Sequence, residues 1–106
     1  MKFMVIAVWD IDKGAELAEV TEKMDAAPPS GYRPLARYFC LAHPCAGFPS
    51  GTGVSVLIAE AESAEAIITG TYPAMLAGAD INVVPVLEIP IARATRVEKK
   101  ARGITK

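Results

Sequence analysis

The chain has 106 residues, of which 52% are hydrophobic and 22% charged, and its formal net charge is −1. This length and composition indicate one globular domain that is apolar for its size. No hydrophobic run approaches the roughly 20 residues needed to span a bilayer. The two cysteines, Cys40 and Cys45, do not make a disulfide framework. We therefore expect a soluble, cytoplasmic protein with reduced thiols.

The charge is distributed unevenly along the chain. Residues 1–92 carry five basic and eleven acidic side chains, a net charge of −6, whereas residues 93–106 carry six basic and one acidic, a net charge of +5. We interpret residues 93–106 as a basic C-terminal tail, which is either a solvated terminus or an arm that docks on an acidic partner or a neighbouring subunit. The acidic body, and the lack of aromatic residues among the basic ones, argue against nucleic-acid binding.

The hydrophobic pattern predicts four strands, over residues 2–10, 32–42, 54–60 and 80–91. Each segment is rich in β-branched and aromatic residues and too short for a core helix. A Pro/Gly-rich loop, residues 43–53, joins the second strand to the third.

Two helices are predicted between these strands. The first follows Asp12 as a candidate cap and carries one apolar stripe, Leu17, Val20 and Met24. The second follows Ser63, is interrupted at Gly70, and restarts at Pro73. The resulting order is strand, helix, strand, strand, helix, strand.

This order predicts an α+β fold, a ferredoxin-like βαββαβ sandwich over residues 1–92. Two interleaved strand–helix–strand units give an antiparallel sheet of order 4-1-3-2 with both helices on one face. Strands two and four then lie at the sheet edges. Proline is tolerated at edges, and these two strands contain Pro34, Pro85 and Pro90.

Both faces of the predicted sheet are apolar. In the first strand, Phe3, Val5, Ala7 and Trp9 share one face, and the opposite face carries Met4, Ile6 and Val8. A half-solvated antiparallel sheet normally alternates apolar with polar residues, and two helices can cover only one face. We therefore expect the second face to pack against the same face of another subunit, giving a homodimer.

The opening segment MKFMVIAVWD and the closing segment ADINVVPVLEI, in this order of elements, resemble a family of small prokaryotic proteins defined by a domain of unknown function. That family belongs to the dimeric α/β-barrel superfamily of ferredoxin-like proteins, and the resemblance covers nearly residues 1–91. The superfamily includes cofactor-free monooxygenases, polyketide cyclases, chlorite-dismutase-like haem proteins, muconolactone isomerase and ligand-sensing domains. The resemblance implies a pocket between sheet and helices or at the barrel end. It transfers no catalytic residue, because one fold hosts many functions.

His43 is the one histidine of the chain. At the start of the long loop it is a candidate general base or ligand for a metal or haem, or a packed or solvated loop residue. Cys40, His43 and Cys45 are residue types that suit zinc, but a closed zinc site needs a fourth ligand and none is evident nearby. We expect no metal and no cofactor.

Several other residues are candidates for a ligand pocket. Arg37 is a candidate anchor for a substrate carboxylate, or else a surface charge on an edge strand. The aromatic candidates for a pocket that binds a planar ligand, whose alternative role is packing, are Trp9, Tyr32, Tyr38, Phe48 and Tyr72. Phe48 would form the apolar tip of a glycine-rich loop that is either a mobile lid or a plain connector.

The sequence leaves two functions open. The first is a small-molecule-binding or sensing module, with the chain itself and a small apolar or aromatic ligand as partners. The second is a cofactor-independent enzyme of the monooxygenase or cyclase type, with His43 as proton acceptor in a pocket walled by Trp9, Tyr38 and Phe48. We favour the first, because one histidine without a supporting polar network is little material for catalysis. Neither nucleic acid nor a membrane is expected as a partner.

Overall fold

The computed structural model describes residues 1–90 and 94–103. The end of the fourth predicted strand at residue 91, and residues 93 and 104–106 of the tail, lie outside the described residues. The elements in chain order are β1 (Lys2–Asp10), a 3₁₀ turn (Ile11–Lys13), α1 (Gly14–Ala26), β2 (Tyr32–Phe39), β3 (Thr52–Ala61), α2 (Ala64–Leu76), β4 (Asp80–Val86) and α3 (Ala94–Ala101).

The four strands form one open antiparallel sheet in the order β2-β3-β1-β4. The predicted α+β class and four-stranded antiparallel sheet are confirmed, and the arrangement is compatible with a ferredoxin-like fold. β1 pairs with β3 along its whole length and with β4 from Lys2 to Val8. The edge strands contain Pro34 and Pro85, as proline's missing N–H requires. Pro90 lies beyond β4.

Both long helices pack on the face of the sheet that carries Phe3, Val5, Ala7 and Trp9, which we call the helix face. One buried cluster on this face includes Ile67 of α2; its members are Phe3, Val5, Tyr32, Leu57, Ala59, Ala61 and Ile67. A second cluster joins both helices to the end of β1; its members are Trp9, Leu17, Ala74 and Ala79. We call the opposite face, with Met4, Ile6 and Val8 on its central strand, the open face.

The start of α2 is as predicted, but its interior is not. The Ser63 hydroxyl accepts a hydrogen bond from the Ala66 N–H at 3.1 Å, so the predicted cap is confirmed. The predicted interruption at Gly70 is wrong, because α2 runs without a break from Ala64 to Leu76. Gly70 is buried against the Tyr32 ring, and a Cβ at position 70 would lie only 2.7 Å from the ring carbons. Glycine at this position thus permits close packing and does not end the helix.

Three other predicted boundaries are wrong. Asp12 does not cap α1, because it lies within the 3₁₀ turn; Lys13 stands at the cap position and makes no side-chain cap hydrogen bond. β2 ends at Phe39, not at residue 42, although the Cys40 N–H still donates to the Val54 carbonyl at 2.9 Å. β4 ends at Val86, which lies opposite Lys2 at the start of β1, so the residues that follow have no partner strand.

Part of the predicted basic tail is helical. α3 spans Ala94–Ala101, and Arg102 just beyond it forms an ion pair with Glu98, one turn earlier, at 2.6 Å. None of the helices in the described part of the chain is long and apolar enough to cross a membrane.

We expect the substitution Gly70→Ala to destabilise the protein although alanine is the better helix former. Overpacking against Tyr32 costs about 1–3 kcal/mol, and the gain in helix propensity is about 1 kcal/mol. Urea unfolding followed by circular dichroism should show a lower free energy of unfolding. Gly14→Ala is the matched control, because a Cβ there would make an ordinary 3.5 Å contact with Trp9 Nε1. Equal stability changes in the two variants would contradict the packing role of Gly70.

Candidate functional site

A cavity of about 490 Å³ lies between the helix face of the sheet and helix α1. Its floor is formed by strand residues: Val5, Ala7, Trp9, Arg37, Phe39, Ser55, Leu57 and Ile81. Its roof is formed by α1 residues: Gly14, Leu17, Ala18, Thr21, Glu22 and Met24. The remaining lining residues are Thr71 and Ala74 of α2, Ala79 just after α2, and Ile11 of the 3₁₀ turn. The volume is within the range of roughly 300–1,000 Å³ that is typical of small-molecule sites.

The cavity exists because α1 packs shallowly. Leu17 is the one residue of α1 that is fully buried. Val20 and Met24, which share its predicted stripe, are half-buried. The side of α1 that lines the cavity carries small residues at helical spacing, Gly14, Ala18 and Thr21. Side chains of this size do not fill the space between helix and sheet.

Trp9 forms one end of the cavity. Its side chain is 8% exposed, and it packs edge-on against Phe39 with ring centroids 5.6 Å apart. Gly53 allows the indole to lie close to the backbone, since a Cβ there would be 2.7 Å from the ring. The Nε1 group is buried without a hydrogen-bond partner among the described residues, which is unusual for a buried donor. Trp9 is the single tryptophan of the chain, so its fluorescence reports on this cavity.

A polar corner lies where the cavity meets β2. The Arg37 guanidinium donates two hydrogen bonds to Asp25 near the end of α1, from Nη2 to Oδ1 at 2.9 Å and from Nε to Oδ2 at 3.3 Å. This paired geometry holds the guanidinium in a fixed plane. Tyr32, on the same strand, packs in the core cluster and does not line the cavity; it is 5% exposed, and its hydroxyl has no partner among the described residues. Burial raises the pKa of Tyr32; of the two nearby charges, Arg37 lowers that pKa and Asp25 raises it.

The structure brings two of the predicted site residues together and separates the others from them. Trp9 and Arg37 both line the cavity. Tyr38 lies opposite Val56 on the open face, so Trp9 and Tyr38 do not wall one pocket. Tyr72 is 52% exposed on α2 and is not part of the lining.

His43 and Phe48 lie together in the loop between β2 and β3, outside the cavity lining. The exposed His43 ring is held by Thr52, since Nε2 lies 3.0 Å from the Thr52 carbonyl oxygen, to which it can donate, and 3.2 Å from Oγ1. Phe48 packs beside it, with ring centroids 5.8 Å apart. These contacts organise the loop and do not direct His43 toward Trp9.

Cys40 and Cys45 are free thiols, half-buried and exposed respectively. Within residues 1–90 and 94–103, no group of three or more histidine, cysteine or acidic side chains is placed to hold a metal ion.

Sequence reasoning missed Thr21, Glu22 and Ser55, which line the cavity, and Asp25, which pairs with Arg37. A signal for the helical members was present. Gly14, Ala18, Thr21 and Asp25 recur at spacings of four, three and four residues, which places them on one side of α1. Small residues beside the apolar stripe fit either close packing, as at Gly70, or an unfilled space, so this signal alone does not decide between them. Ser55 carries no comparable signal.

Comparison with known protein families found no family model that matches the chain, and comparison with curated proteins found no match.

We expect Tyr32→Phe to stabilise the protein at neutral pH by about 1 kcal/mol, because it removes a buried hydroxyl that lacks a partner. Burial disfavours the charged phenolate and so raises the pKa of Tyr32 in the folded state. Ionisation of this group therefore leaves stability unchanged below its ordinary pKa of 10.0 and lowers it as the pH rises above that value. Urea unfolding between pH 7 and 11 should therefore show a shallower decline in Tyr32→Phe than in the wild type. Tyr72→Phe, at an exposed position, is the control, and an equally shallow decline in that variant would contradict the assignment.

Proposed function

We propose that this protein is a small-molecule-binding module whose ligand occupies the cavity between the sheet and α1. The observation that carries the proposal is the cavity itself, a preformed space of about 490 Å³ in a chain of 106 residues. Its lining is mostly apolar, yet the cavity opens to solvent beside Ile11 and Phe39, which are 60% and 59% exposed. A bound apolar molecule would remove this apolar surface from water.

The chemical character of the lining favours binding over catalysis. Among the described lining residues, Arg37 and Glu22 are the ones with ionisable side chains, and neither histidine, cysteine nor lysine is present. The Arg37 guanidinium is already paired with Asp25. General acid–base catalysis needs a group whose proton is exchanged near neutral pH within reach of the substrate, and this lining supplies little of that kind.

Blocking the cavity should abolish ligand binding. Ala18 lines the roof and Ala15, in the same helix, does not, so Ala18→Phe and Ala15→Phe form a matched pair. We expect uncharged apolar fragments, detected through Trp9 fluorescence and a rise in melting temperature, to bind the wild type and Ala15→Phe alike. The affinity of Ala18→Phe should be weaker by about tenfold or more. Fragments that bind all three proteins equally, or a library without a saturable binder, would contradict the proposal.

We further propose that the module is a homodimer of the dimeric α/β-barrel type, formed by pairing of the open faces. Met4, Ile6 and Val8 are half-buried within one chain, and Val84 is 39% exposed. One end of this face is already covered, since Val54, opposite Val8, is 1% exposed. The remaining apolar centre is the kind of surface that soluble monomers rarely leave in water.

The rim of the open face supports the same assembly. At one end, Lys2 forms an ion pair with Glu88, and Arg33 pairs with Glu60 at 2.8 Å. At the other end, Asp10 and Asp80 are exposed. An apolar centre within a polar rim is the usual composition of a protein–protein interface.

Charging the centre of the open face should therefore separate the subunits. Ile6→Lys is expected to convert the protein from a dimer of twice 11.2 kDa to a monomer, as measured by light scattering after size exclusion. Ile68→Lys introduces the same change on α2, where Ile68 is 54% exposed, and should leave the dimer intact. Circular dichroism checks that both variants are folded. A wild-type monomer at micromolar concentration, or a folded dimer of Ile6→Lys, would rule out open-face pairing.

A further inference from the structure

Building on the proposed binding function, we propose that the cavity selects uncharged ligands with a hydroxyl or carbonyl group on an apolar body and disfavours carboxylates, and that Asp25 sets this selectivity. Asp25 acts through Arg37 and does not itself line the cavity. It is therefore a specificity-determining residue, because its carboxylate occupies the Arg37 guanidinium that a ligand carboxylate would otherwise bind.

The described cavity lining offers a ligand no unpaired positive charge. Arg37 is the cationic residue of the described cavity lining, and Nε and Nη2 both donate to the Asp25 carboxylate. Glu22 contributes a second carboxylate to the lining from α1. One cation and two anions leave this part of the site with a net negative charge. The single arginine that could anchor a ligand carboxylate is thus already neutralised.

A ligand carboxylate would have two ways to bind, and both are unfavourable. It could displace Asp25 from Arg37, which would give up a paired, charge-assisted interaction already present in the protein. It could otherwise enter beside the exposed Glu22 carboxylate without a free cation, where two like charges repel each other. A neutral ligand neither competes with Asp25 for Arg37 nor is repelled by the Glu22 carboxylate.

The cavity also offers uncharged polar groups to a ligand. Thr21 on the roof and Ser55 on the floor are half-buried, and their hydroxyls make no hydrogen bond within the described part of the chain. A hydroxyl can both donate and accept, so each group can pair with a ligand alcohol or carbonyl. The third hydroxyl of the lining, that of Thr71, is already used, because it donates to the Ile67 carbonyl at 2.9 Å.

The selectivity can be measured with two probes that share one apolar body, 1-adamantanemethanol and 1-adamantanecarboxylate. Neither probe absorbs where tryptophan is excited, so Trp9 fluorescence and the Trp9 indole resonance can follow both titrations. We expect the wild type to bind the alcohol about tenfold more tightly than the carboxylate at neutral pH. Ala18→Phe should weaken both, which locates the binding in the cavity.

The variant Asp25→Asn should abolish the preference, because it frees the Arg37 guanidinium. We expect carboxylate affinity to rise by about tenfold and alcohol affinity to stay unchanged. Asp12→Asn removes the same charge from the exposed 3₁₀ turn and should change neither affinity. If Asp25→Asn does not fold, as judged by circular dichroism, Glu22→Gln is the second variant. It should raise carboxylate affinity by about threefold with the Arg37–Asp25 pair intact.

The outcomes separate this inference from the function on which it rests. Equal binding of the two probes to the wild type, or an unchanged ratio in the folded charge variants, would overturn the selectivity and leave the binding function standing. Failure of both probes to perturb Trp9 in the wild type would overturn both.

Discussion

β1 is a central strand of the sheet, and its pairing register constrains the packing on both faces. This strand is hydrogen-bonded to β3 on one side and to β4 on the other, and nearly all its residues are apolar. Because side chains alternate along a strand, the register places Phe3, Val5 and Trp9 beneath the helices and Met4, Ile6 and Val8 on the open face. A slip of one residue would exchange the two sets. Core, cavity and proposed interface thus all follow from one pairing register.

The two helices use the helix face differently. α2 fills its part of the core, with Ile67 1% exposed and Gly70 in close contact with the Tyr32 ring. α1 buries Leu17 fully and leaves a space behind its small residues. The cavity lies beneath α1 because α1, unlike α2, does not pack closely against the sheet. Its position between sheet and helix follows from packing and does not depend on any catalytic motif.

The Arg37–Asp25 ion pair connects the sheet to α1, the helix that lies over the cavity. It links the edge strand β2 to the last turns of α1, on the side where α1 is least supported by apolar packing. The side chains are 30% and 39% exposed, so solvent screening limits the contribution of the pair to stability to about 1 kcal/mol or less. Its larger consequence is electrostatic, since it leaves the cavity without an unpaired cation among the described lining residues.

Features that depend on local sequence pattern were predictable. Short β-branched and aromatic runs predicted the four strands and their two apolar faces, the prolines agreed with the edge positions, and Ser63 marked the start of α2. The place of Gly70 within a continuous helix was not predictable from the sequence. Glycine is needed there because α2 packs against the Tyr32 ring, and that contact joins residues far apart in the chain.

The candidate site was predictable only in part, and β2 shows why. Uninterrupted alternation from Tyr32 would place Tyr38 on the helix face and Arg37 on the open face. A register shift between Pro34 and Ala36 inserts one extra residue and reverses this assignment, so Arg37 lines the cavity and Tyr38 does not. The sequence could name Trp9 and Arg37 as candidates from their chemistry. Their place in one cavity follows from the folded chain alone, because the face that a strand residue occupies is set by the pairing of its strand with the neighbouring strand.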